Sequence, residues 1–401
     1  MKLIPLVFIY LLLLVSCQTE TAESKAARIH DKVLTVDTHC DTPMMLFSKG
    51  FDPGKRNENG RVDFVRMKEG GMDAMFFAAF LGQGPRTAEG NERAKIKAFE
   101  IIDSVYAAVE KYSELAEICT TPDDGYRVEL EGKRAIYLGM ENGYPIGNDL
   151  NLIQSYYDRG VRYITLCHTA NNDICDSSTD RKGSEYNGIS SFGESVLSEM
   201  NRLGMIIDVS HISDSSFYDV IRLSSAPVIA SHSCARSLCD NPRNMDDAML
   251  NKLAENGGVI QMCILSDYVK TPEPYPARDS AFAVLREKFH NYEEMTEDEK
   301  QVARSEWSAL GKKYPRKLAN VSEVVNHIDH IVKVAGIDHV GIGTDFDGGG
   351  GVEGCEDVSQ MGNITLELVK RGYTEKEIEK IWGGNFMRVF REVQDQAEEN
   401  S

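Results

Sequence analysis

Thr35-Val36-Asp37-Thr38-His39-Cys40-Asp41 is a run rich in β-branched residues that ends in a histidine and a carboxylate two positions apart. In an extended segment residues i and i+2 project to the same face, so His39 and Asp41 can address one object. Imidazole with carboxylate suits a divalent cation. Alone, such a pair fits a solvated strand end better than a metal site. The rest of the chain decides between the two.

Outward from this strand (33–38), seven more short apolar runs read as strands: 73–80, 135–140, 163–167, 205–209, 228–231, 258–264 and 340–344. Helical patterns separate them at 62–69, 93–113, 150–159, 192–203, 214–223 and 246–255, and a short one at 25–32 precedes the first. In the longest, Ile96, Phe99, Ile102, Val105, Tyr106 and Val109 keep the three-to-four spacing of a packed face. Strands buried on both faces and joined by helices are expected to form a parallel sheet, and eight of them match a (β/α)8 TIM-like barrel. Active sites of that fold gather at the C-terminal strand ends. Here those ends carry His39 with Asp41, Glu141, His168, His211, His232 and Asp345. The expected catalytic domain is 28–395, interrupted by a charged helical insertion at 265–320 with helical patches at 280–289 and 296–310. A loop that long is a lid, a partner surface or a solvated excursion.

Composition is that of a globular protein, 42% hydrophobic and 27% charged over 401 residues. A formal charge of −19 and the lack of any basic stretch argue against nucleic acid as a partner. The first sixteen residues are set aside as a signal segment: Met1-Lys2, an apolar stretch too short for a comfortable span, then Ser16-Cys17. Leu14-Val15-Ser16-Cys17 resembles the bacterial lipobox, which implies lipidation at Cys17 and a polar tether over 17–27. The expectation is an exported protein, anchored by lipid to a bacterial cell membrane and facing the periplasm or the surface. The remaining cysteines show no Cys-x-x-Cys zinc framework. Cys234 with Cys239, or Cys167 with Cys175, are the pairings that spacing suggests.

Three histidines (His39, His211, His232) and two carboxylates (Asp41, Glu141) are too many ligands for one catalytic zinc, which takes three protein ligands and keeps an open position. Two metals are the economical reading. One carboxylate would bridge them, and a trapped water would lose its proton near neutral pH and attack a polarised carbonyl.

Val36-Asp37-Thr38-His39-Cys40-Asp41, Gly139-Met140-Glu141-Asn142-Gly143, Asp208-Val209-Ser210-His211, Ala230-Ser231-His232-Ser233, the stretch from Gly341 to Gly348 and Trp382-Gly383-Gly384-Asn385-Phe386 together resemble the membrane (renal-type) dipeptidase family of zinc peptidases. The likeness runs over nearly all of 33–393. It implies a barrel of the metallo-dependent hydrolase type that cleaves dipeptides, commonly tolerating a D-residue at the second position. Some members also open β-lactam rings. By this resemblance two Zn2+ bind per chain, with His39 and Asp41 on one, His211 and His232 on the other and Glu141 bridging. His168 would contact the scissile group or its oxyanion, and Arg243 would hold the substrate's C-terminal carboxylate. Asp345 would shuttle a proton to the leaving amine, with Asp347 as the alternative. Tyr268 lies near the family's substrate-contacting tyrosine, although Leu265-Ser266-Asp267-Tyr268 departs from the family text. Members are often dimers, so a homodimer is expected.

His327 and His330, one helical turn apart, read as packing and solvent contacts. Gly348 to Gly351 follows no phosphate-loop pattern and reads as a turn over the site. The same site could serve a β-lactam or another cyclic amide. From another class, a lipoprotein could capture peptides without cutting them, but a pure binder has no need of Asp345 and a full ligand set.

Overall fold

The computed structural model describes residues 20–290, 292 and 295–399. Among these lie nine strands: β1 (Val36–Cys40), β2 (Ala74–Phe80), β3 (Ala116–Ile118), β4 (Arg134–Glu141), β5 (Val161–Thr165), β6 (Ile206–Asp208), β7 (Ile229–Ser233), β8 (Val259–Met262) and β9 (Val340–Ile342). Eight pair in the order β1-β2-β4-β5-β6-β7-β8-β9, every ladder parallel. Beyond β9 the chain bonds back to β1: Asp345 N–H donates to His39 O at 3.0 Å and Asp41 N–H to Phe346 O at 2.8 Å. The result is the expected (β/α)8 barrel. β3 is the addition, an edge strand on β4 whose three residues, Ala-Glu-Ile, carry no apolar run to announce it.

Alternation along the strands grades the barrel interior from apolar to polar. At the bottom Val36, Phe76, Tyr137, Tyr163, Ile206, Ile229 and Val259 pack with Phe386, Met387 and Phe390 of the C-terminal helix Asn385–Glu399, which plugs that end. Two residues further along the same faces come Thr38, Gly139, Thr165, Asp208, Ser231 and Gln261, and above Gly139 comes Glu141. The four hydroxyl and carboxylate residues and Gln261 are all buried, so the barrel spends its upper layer on polar groups. Such groups require partners: Thr165 and Ser231 donate to Asp208, and Thr38 donates to the Ser231 carbonyl, while Gln261 Nε2 has none.

Several expectations shift. The first described helix, Ala22–His30, begins inside the stretch expected as a tether, with Ala26 and Ile29 buried. Cys17 and the signal segment lie outside the described residues. No described helix is long and apolar enough to cross a membrane. Among the described residues the insertion carries the α-helices Ser266–Val269, Pro276–Lys288 and Glu297–Lys313. The last two share a small apolar cluster of Leu285, Phe289 and Ala303, against which Trp307 packs. All eight described cysteines are buried free thiols, which corrects both suggested pairings. Cys234 turns away from Cys239 because its Sγ donates to Cys263 O at the end of β8.

Candidate metal centre

Glu141, the last residue of β4, stands at the centre of the barrel mouth. Its Oε1 lies 2.9 Å from His211 Nε2, 3.4 Å from His232 Nε2 and 3.8 Å from His168 Nε2. Its Oε2 lies 3.5 Å from His39 Nε2, which is 3.8 Å from Asp41 Oδ2. Candidate ligand sets therefore overlap: His39, Glu141 and His232; Glu141, His168 and His211; His39, Asp41 and Asp345. The expected metal ligands all converge, and His168 stands nearer the cluster than a purely substrate-facing residue requires.

The chain reaches this arrangement by turning sharply where strands end. Asn142, His211 and Asp345 have φ of 80°, 72° and 61°, a left-handed conformation that non-glycine residues adopt at some cost and that clusters at functional sites. After His211 the hydroxyl of Ser213 caps the helix Asp214–Leu223, so one turn ends the strand and starts the helix. Gly348 needs its missing side chain: a Cβ there would sit 1.9 Å from Asp41 Oδ2 and 2.2 Å from Asp345 Oδ1. The glycine run is thus a turn pressed onto the two carboxylates, as its sequence suggested.

The donor set fits divalent cations. His211 Nε2 and His232 Nε2 face each other at 2.9 Å, and His39 Nε2 and Asp41 Oδ1 are buried with no hydrogen-bond partner. Burial holds His211 and His232 well below the usual imidazole range, which keeps their lone pairs available. Burial alone would raise Glu141, but the imidazoles of His39 and His168 and hydrogen bonds from His211 and His232 hold it well below the usual carboxylate range. Burial, aided by the charge of Glu141, pushes Asp41 up to about 6. Burial also carries Asp345 well above the ordinary range, with Cys263 and Asp41 adding to it.

Around the cluster stand the residues expected to meet substrate. Arg243 is only 5% exposed, and among the described residues no carboxylate pairs with it. Its Nη2 donates to His232 O at 3.1 Å and its Nε has no partner. A buried cation in that condition is a seat for an anion. The guanidinium lies 5.2 Å from the centre of the Tyr268 ring, so the residue whose local sequence fitted least is nonetheless beside Arg243. Asp347 bonds Thr42 Oγ1 at 2.8 Å and Arg61 N–H at 2.6 Å, away from the cluster, which leaves Asp345 as the carboxylate at the mouth. Phe80 packs edge-on against His168 at 4.7 Å and also lines a cavity of about 600 Å³ between the helix Ala88–Lys111 and the insertion.

Sequence reading passed over the residues beneath the ligands. Tyr163 Oη lies 2.8 Å from His39 Nδ1. Ser231 Oγ lies 2.8 Å from His232 Nδ1 and donates to Asp208 at 2.6 Å. The available signal was register: Gly139 is level with Tyr163 across the β4–β5 ladder, a gap opposite a large side chain.

A family model for the membrane dipeptidases (peptidase family M19) matches residues 23–401. This chain belongs to the membrane dipeptidase family. Two relatives are similar to this membrane dipeptidase family member over most of its length. Dipeptidase tcpJ of Claviceps purpurea is 32% identical over 84% of this chain and 70% of its own. Dipeptidase 3 of Mus musculus is 33% identical over 91% of this chain, which spans 65% of that protein. Among solved structures, the probable dipeptidase PvdM from Pseudomonas aeruginosa superposes with a TM-score of 0.82 at 31% identity, covering 94% of this chain and 99% of its own. A metallo peptidase from Rhodobacter sphaeroides, liganded with a phosphinate mimic of the dipeptide L-Ala-D-Ala, shares the fold at a TM-score of 0.73 and 21% identity, covering 90% and 99%.

Proposed function

We propose that this chain is a zinc-dependent dipeptidase that hydrolyses the peptide bond of dipeptides, including those with a C-terminal D-residue. The observation that carries the reading is the convergence of His39, His211 and His232 on the single carboxylate of Glu141, with Asp41 against His39 and an unpaired buried arginine beside His232. Family membership supports the same activity.

Two zinc ions held by His39, Asp41, Glu141, His211 and His232 would supply Lewis acidity and a water that ionises near neutral pH. The chain's own residues do the rest. Arg243 takes the substrate's C-terminal carboxylate, with Tyr268 packed against its guanidinium. His168, held between Phe80 and His211, faces the scissile carbonyl oxygen. Asp345, which burial disposes to hold a proton, passes it to the leaving amine nitrogen. Glu141 serves as ligand and as the negative charge that gathers the imidazoles.

Export and a lipid anchor at Cys17 belong to the proposal and rest on Leu14-Val15-Ser16-Cys17. A homodimer rests on the family resemblance alone. L-Ala-D-Ala and L-Ala-L-Ala offered before chelation, after chelation and after zinc is restored provide the test. Turnover lost with the chelator and regained with zinc is expected. Binding without turnover at full zinc would replace the enzyme with a capture protein.

A further inference from the structure

Each ligand histidine of the proposed centre has a second ring nitrogen, and the structure gives these nitrogens very different neighbours. His39 Nδ1 meets the buried hydroxyl of Tyr163 at 2.8 Å, whereas His232 Nδ1 meets Ser231 Oγ, which donates to the fully buried carboxylate of Asp208. Asp208 is itself fixed by Thr165 Oγ1 at 2.5 Å and by the N–H groups of Ser210 and Ser231 at 3.0 and 2.8 Å. One histidine therefore leans on a lone phenol, the other on an anchored serine and aspartate.

The phenol contact has a direction that chemistry decides. His39 Nε2 points at Glu141 and Asp41 and has no hydrogen-bond partner, so it can accept a cation only through a bare lone pair. In a neutral imidazole the proton then sits on Nδ1, and Nδ1–H must donate to Tyr163 Oη. Were the phenol the donor instead, the proton would lie on Nε2 and block the cation. Tyr163 has little freedom to change this. Its ring lies against Gly139, where a Cβ would come within 2.2 Å of it, and stacks on Phe76 at 5.4 Å between centroids.

We infer that Tyr163 is a positioning residue that accepts the Nδ1 proton of His39 and so sets the cation site of His39 and Asp41 independently of the site of His232, which Ser231 and Asp208 set. The inference rests on the metal centre proposed above. Tyr163 touches no substrate, so it acts through His39 alone. Such outer partners of metal-bound histidines typically change metal affinity about 10- to 100-fold.

Tyr163→Phe keeps the ring and its packing while removing the acceptor. Zinc-free protein would be titrated with zinc against a chromophoric chelator, and with cobalt followed by its visible absorption. Melting temperature would check the fold. In Tyr163→Phe one of the two binding steps should weaken about 10- to 100-fold, while the step that Ser231→Ala weakens stays at the native value. Turnover at limiting zinc should fall and recover as zinc is raised, with KM for the dipeptide unmoved. Native affinity at both steps in Tyr163→Phe, or tighter binding, would overturn the inference and leave the dipeptidase reading standing. A native protein that binds no zinc would overturn both.

Discussion

His211 and His232 meet nitrogen to nitrogen, Nε2 to Nε2 at 2.9 Å, although they come from the ends of neighbouring strands. Both sit within 3.4 Å of the same oxygen of Glu141. Two imidazoles kept neutral by burial and offering both Nε2 lone pairs to a metal carry their protons on Nδ1, so the lone pairs face each other at a cost that a cation between them relieves.

Zinc should accordingly stabilise the fold. Ligand at about 100 times its dissociation constant adds about 2.7 kcal/mol, visible as a higher midpoint in urea. Glu141→Gln removes the charge that gathers the histidines and should abolish most of this gain, together with hydrolysis. An equal zinc-induced shift in Glu141→Gln would count against a shared carboxylate.

Arg243→Lys keeps the positive charge but loses the planar fork that suits a carboxylate. Hydrogen bonds to charged groups are worth about 1.5 to 3 kcal/mol, so kcat/KM for a free dipeptide should fall roughly 10- to 150-fold. The same dipeptide as its C-terminal amide has no carboxylate to lose and should be hydrolysed about as well by the variant as by the native protein. Equal losses on both substrates would remove Arg243 from carboxylate binding.

Gly139 is small because Tyr163 occupies the space beside it, with a ring atom 2.2 Å from where a Cβ would lie. Overpacking of a filled interior typically costs 1 to 3 kcal/mol. Gly139→Ala should therefore lower urea stability by about that amount and loosen zinc binding by displacing the phenol from His39. Unchanged stability would mean that the barrel interior relaxes more freely than its packing suggests.

His327 gives a pH dependence away from the metal centre. Burial lowers its pKa, and its Nδ1 accepts the Ala235 N–H at 3.1 Å while Nε2–H donates to Val269 O at 2.8 Å. The folded protein thus keeps this imidazole neutral, while the unfolded chain takes up a proton as pH falls through about 6.5. Stability from this group is complete above that pH and declines below it, down to the lowered folded value. His327→Gln should be less stable at pH 7.5 and should lose less on acidification to pH 5.5 than the native protein does, measured by urea unfolding. A steeper loss in the variant would reverse the assignment.

Much of this was legible in the chain because strand ends are legible. A short β-branched or apolar run that stops at His39 or Glu141 places that residue on the barrel rim without knowledge of any contact. Asp345 and His232 were found the same way. What escaped depends on register and tertiary packing. Tyr163 looks like one more apolar strand residue until Gly139 is set opposite it, and Ser231 and Asp208 look like ordinary small and acidic residues until β6 and β7 pair. β3 was invisible because its pairing with β4, rather than its own three residues, makes it a strand. His327 was read correctly as packing, yet its role in tying the Ala235 loop to Val269 needed coordinates.

The most direct test of a binuclear dipeptidase counts metal and turnover together. Zinc-free protein receives zinc in steps, bound metal is measured by mass spectrometry, and L-Ala-D-Ala hydrolysis is recorded at each step. Two equivalents bound per chain, with turnover reaching its maximum only as the second is filled, is the expected result. Full turnover at one equivalent, or two equivalents bound with no hydrolysis of any dipeptide, would contradict it.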